Sequence, residues 1–233
     1  MLTSSDFQIQ KLIASGFVAS EGFNPSDALR HVLVSWPDVY DGQTTSFPLP
    51  ADAPPDFPAV SVSSKDGIWL VEMTRARVNV AWVNQHGRIR SLRSVFSELS
   101  KRLVTILAEQ QVVVGRLAAL VTRVAEVPGP GVVLSRQFCR PKWLDGPLNR
   151  PEGFELHAHK TFDLLPGLAV NSWVKIKTAK GGSPNYRYVV IEQDVNTLAP
   201  ELETRKFSQR ETSSVFRAAS LELDSILSMY FPD

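Results

Sequence analysis

Residues 58–110 constrain the fold more than any other stretch, because three short β-rich runs are followed directly by one long amphipathic helix. The runs 59–63, 68–74 and 77–84 are parted by the turn Ser64-Lys65-Asp66-Gly67 and by the charged corner Thr74-Arg75-Ala76. That pattern predicts an antiparallel meander. From Ser91 to Gln110 the apolar period changes from two to about 3.6. Leu92, Val95, Phe96, Leu99, Leu103, Ile106 and Leu107 form one stripe, while Arg93, Glu98, Lys101, Arg102 and Glu109 lie off it. In the strands, Trp69, Val71 and Met73 share one side, as do Val78, Val80 and Trp82. A helix laid on that side buries its apolar stripe at roughly 1.5–3 kcal/mol per side chain.

A comparable block closes the chain. Strands are predicted at 154–165, 170–178 and 186–195, joined by Pro166-Gly167 and by Gly181-Gly182-Ser183-Pro184. A helix over 207–230 follows, with Val215, Phe216, Ala219, Leu223, Ile226, Leu227 and Tyr230 on its apolar side. Each block is preceded by a long strand and an excursion. Strand 7–19 leads through a turn at 21–24 to a short helix at 25–34, then to a connector at 41–58. Pro48, Pro50, Pro54, Pro55 and Pro58 make that connector extended and polyproline-like. Strand 112–127, read from its β-branched run, leads to an irregular surface segment at 132–151.

The halves 7–111 and 112–233 thus share one plan, resting on element order alone. No residue-level repeat is read between them. The expected fold is a single pseudo-symmetric α+β unit spanning 1–233, with antiparallel sheets, long amphipathic helices on one face and a duplicated β-(excursion)-βββ-α order.

A hydrophobic fraction of 43% and a charged fraction of 21% belong to an ordinary globular protein, neither disordered nor membrane-embedded. A net charge of +1 excludes whole-surface attraction to nucleic acid or anionic lipid, so any such contact is a local patch. One cysteine, Cys139, excludes an intrachain disulfide. Residues 1–6 lack a basic leader, and no apolar run reaches the length of a membrane span, so a cytoplasmic protein is expected.

Two constellations stand out. Glu155, His157 and His159 alternate along one strand, and two imidazoles with a carboxylate can ligate a divalent transition metal. The competing reading is a solvated strand face opposite Leu156, Ala158 and Phe162. Arg136, Phe138, Arg140, Lys142 and Trp143 form the densest basic and aromatic cluster, a composition suited to anchoring a partner protein or to contacting phosphates and bases. Gly181-Gly182-Ser183 lacks phosphate-loop spacing and reads as a hairpin turn. No catalytic residue is assigned and no cofactor is called for.

The proline-rich run leading to Lys65-Asp66-Gly67, the strands through Trp82, the helix after them, the strand 114–124 and the closing helix resemble a family of uncharacterised, sporadically distributed bacterial proteins. Where that family often carries a Tyr-Ile-Asn-Arg run, this chain has Ala119-Leu120-Val121-Thr122-Arg123. The resemblance implies no established activity. The repeated strand and helix order is also similar to SecB-type chaperones, which implies the holding of another polypeptide. The first expectation is a non-catalytic protein-binding module of a bacterial defence or toxin-neutralising system. A nucleic-acid-associated protein is the alternative and a metal-dependent enzyme the third. The expected partner is another protein, with a homo-oligomer also compatible and no membrane contact.

Overall fold

In a computed structural model, which describes all residues except 19–22, 49, 51, 86, 88, 89, 147 and 183, the chain is α+β. The turn expected around 21–22, the end of the first strand at Ala19 and the Ser183 position of the glycine turn lie outside the described residues. Strand β1 (Gln8–Val18) leads to α1 (Pro25–Ser35), then to β2 (Thr44–Ser46), β3 (Val60–Ser63), β4 (Trp69–Met73), β5 (Arg77–Val83) and α2 (Leu92–Glu109). The second half runs β6 (Val114–Glu126), α3 (Pro130–Phe138), α4 (Pro141–Leu144), β7 (Glu155–Leu165), β8 (Leu168–Ala179), β9 (Tyr188–Thr197) and α5 (Gln209–Tyr230).

All nine strands join one antiparallel sheet in the order β2-β3-β4-β5-β1-β6-β9-β8-β7. Each long first strand lies at the centre, beside the last strand of its own meander. A pseudo-twofold axis therefore passes between β1 and β6. The Ala14–Ala119 pair sits near it, both residues buried.

Helix α2 lies over β1 and β5, α5 over β6, β7 and β9, and the two helices pack against each other. Every residue of the predicted α2 stripe is buried. Gly16 lets α2 pack close on β1: a Cβ there would come within 2.8 Å of the Leu107 methyl, which would have to move. Caps match the local sequence: the Ser91 hydroxyl accepts from the Ser94 amide, and Ser208 with Glu211 forms a reciprocal box at the start of α5.

Four expectations are corrected. A residue-level repeat does exist. Ser94, Val95, Phe96, Ser100, Leu103, Ile106 and Leu107 of α2 recur at constant spacing as Ser214, Val215, Phe216, Ser220, Leu223, Ile226 and Leu227 of α5. The pseudo-axis brings the equivalent Phe96 and Phe216 rings together, stacked at 6.2 Å. The segment 132–151 is not irregular, because α3 and α4 occupy it; each starts with proline at its first position, where the missing amide costs nothing. The connector 41–58 contains an edge strand, β2, formed by the β-prone Thr44-Thr45-Ser46 before the prolines begin. Finally, Arg102 is buried, held between α1 and the meander by aromatic rings.

Candidate functional site

The basic and aromatic cluster is only partly a surface. Arg136, Arg140, Lys142 and Trp143 are exposed along α3 and α4. Phe138 is turned inward, within 5.6–6.4 Å of the Phe154, Tyr230 and Phe231 rings, where it helps seal the second apolar core. One helical turn separates Leu134 from Phe138. Both therefore point to the core and carry the intervening Arg136 outward. Without Phe138 the cluster retains its cations and one aromatic anchor.

Glu155, His157 and His159 do share the open side of β7, all exposed. Their contacts divide them. Hydrogen bonds from His157 at 2.8 Å and from Lys175 at 2.9 Å hold the Glu155 carboxyl down at about 2. His159 turns away, stacking on Trp173 at 3.9 Å and meeting the Asn171 side-chain oxygen at 3.1 Å. Among the described residues, no group of three His, Cys, Asp or Glu side chains is arranged to hold a metal ion.

The edge position of β7 matters more than its histidines. In the first half, the outer side of the equivalent strand β3 is paired with β2. The second half has α3 and α4 in the corresponding excursion, and β7 ends the sheet. The Thr178 amide donates to the Phe154 carbonyl at 3.1 Å, making that pair a hydrogen-bonded rung. Rungs alternate along an antiparallel ladder. The amides and carbonyls of Glu155, His157, His159, Thr161 and Asp163 consequently point outward, to the side on which no strand lies among the described residues.

Beside this edge, on the helix-covered face, lies a cleft of about 380 Å³ lined by Ala158, Lys160, Ser172, Val174, Ile226, Met229 and Tyr230, among others. Met229 is 71% exposed at its rim. Among the described residues the buried Ser172 hydroxyl has no hydrogen-bond partner, an unusual condition for a buried donor. Lys160 is tied to Glu222 of α5 at 2.9 Å, which keeps its charge to one side. Trp173, Ser172 and Met229 were not singled out in the sequence. Trp173 could have been, since a tryptophan on the polar side of a half-wet strand is out of pattern.

On the uncovered face, a polar network continues inward from His159. Asn171 and Arg116 both donate to Asn196, at 3.5 and 3.0 Å, and the guanidinium of Arg116 lies 4.5 Å from the Phe17 ring. Burial pushes the Asp194 carboxyl up. These groups lock the centre of the sheet and leave β7 and its cleft as the open periphery. The chain matches no known protein-family model and no curated protein.

Proposed function

We propose that this is a non-catalytic binding protein that takes up an extended segment of another polypeptide by strand addition to β7. The observation that carries this reading is the unpaired edge of β7 where its counterpart β3 is paired. An open row of backbone donors and acceptors is a template for another strand. Each new backbone hydrogen bond contributes about 0.5–1.5 kcal/mol net. Such bonds are indifferent to sequence, so selectivity falls to side chains. A segment paired with β7 lays alternate side chains towards the apolar cleft and its orphan Ser172 hydroxyl, and the others towards Glu155, His157 and Trp173. Sporadic occurrence of the resembled bacterial family suits a component of a mobile defence or toxin-neutralising locus.

The test uses two variants that spare the core. Thr161→Pro removes an outward amide without touching the β8 ladder, which an edge strand tolerates. Met229→Asp places a charge at the cleft rim. The expected result is that wild-type protein retains a defined polypeptide from its native host and that either variant retains about tenfold less. Equal retention by all three proteins, or retention of none, would sink the proposal.

A further inference from the structure

On the outer side of the α2–α5 seam, away from the sheet, runs a cleft of about 600 Å³. Arg93 and Lys101 line it from α2, Arg210 and Arg217 from α5, with Val104 as the apolar contact. All four cations are exposed, and among the described residues none has a carboxylate within ion-pair distance. Among the described residues, no acidic side chain lines the cleft. In a protein with a net charge of only +1, four unpaired cations facing one concavity are a strong local concentration of field.

The internal repeat shows where the two copies differ in charge. By the constant spacing of the repeat Arg210 corresponds to Arg90, but Arg90 precedes α2 and pairs with Glu98 at 3.0 Å, whereas Arg210 lies inside α5 and Ala218 stands at the position of Glu98. Arg217 stands where the first copy has Ser97, and Lys101 where the second has Leu221. The seam is therefore not symmetric in charge, and these cations gather at this cleft.

We propose that this cleft binds a small polyanion carrying two or more phosphate groups. Arg93 and Lys101 are separated by about 12 Å of helix and Arg210 and Arg217 by about 10 Å, so the cations face the cleft in two rows rather than at one point. A single phosphate meets only part of that array. Guanidinium groups pair with phosphate oxygens through two parallel hydrogen bonds. Three of the hydroxyls around them are already committed: Ser100 donates to the Ser97 carbonyl, Thr105 to Lys101 and Ser213 to Gln209. Recognition therefore falls to the four cations, the Ser97 hydroxyl and the Gln209 amide. Among the described residues no aromatic ring lines the cleft, so none of them stacks a base there, and the volume is that of a small-molecule site. This site is separate from β7 and stands whether or not a polypeptide binds there.

Isothermal titration of the intact protein with inorganic tripolyphosphate tests the proposal. The expected result is one-to-one binding that weakens at least about tenfold in Arg210→Ala/Arg217→Ala and also falls as salt screens the cleft. Ala218→Glu adds a carboxylate on α5 next to Arg217 and is expected to weaken binding as well. Lys180→Ala, which removes an exposed cation between β8 and β9, leaves it unchanged. Circular dichroism confirms that each variant is folded. The proposal is overturned by absence of binding at about 1 mM ligand, by binding that the arginine variants do not weaken, or by single-stranded DNA binding through the same arginines about tenfold more tightly than tripolyphosphate.

Discussion

Arg102 joins α1, α2 and the meander: its guanidinium lies 4.2 Å from the centre of the Trp69 ring, 5.6 Å from Trp36 and 5.7 Å from Tyr40, and bonds Glu98 at 3.0 Å. Its place off the apolar stripe was legible, but its burial was not, because the rings that enclose it come from segments remote in sequence. Tyr40 in that group gives a pH prediction. Burial pushes its phenol up to about 12, against the opposing pull of Arg102. The unfolded phenol ionises near 10, so between about pH 10 and 12 the unfolded chain loses a proton that the native chain keeps, and stability falls by up to about 2–3 kcal/mol. Burial pushes Arg123 down to about 10, which acts in the opposite direction over the same window. The difference between wild type and Tyr40→Phe isolates the phenol: urea midpoints of the variant should fall less steeply across that range. Parallel curves would show that Tyr40 does not titrate as described.

At the level of elements, the α2–α5 seam is built by one motif used twice. Phe96 and Phe216 are each about 99–100% buried and stack on one another. Phe96→Ala and Phe216→Ala are each expected to cost about 3–5 kcal/mol in urea unfolding, and the double variant less than their sum because each single change already breaks the shared contact. Strict additivity would mean that the two rings do not support each other. The buried Ser100 and Ser220 repeat the same detail, each hydroxyl donating to the carbonyl three residues earlier. Both helices and their inward faces were readable from apolar spacing. The shared Ser-Val-Phe and the residues after it at constant spacing are legible in the letters too. Helix α3 falls largely within the segment expected to be irregular, because Pro130 ends β structure before it and yet, at the first helical position, starts a helix.

Across the whole molecule, β6 is paired with β1 on one side and β9 on the other, so a single hydrogen-bonded ladder crosses the boundary between the halves. The helix seam crosses the same boundary. Calorimetry should therefore show one cooperative unfolding transition, with calorimetric and van't Hoff enthalpies in agreement. Two separable transitions would mean that the halves are independent. Periodicity alone determined the strands, the long helices and the faces they bury, since a period of two or 3.6 is set by the backbone of each element. Local sequence carries no record of which distant strand becomes a neighbour. Only the tertiary structure decided that the halves share one sheet, that β7 ends that sheet among the described residues, and that two helices bring four cations to one cleft, because each depends on pairing between residues far apart in the chain.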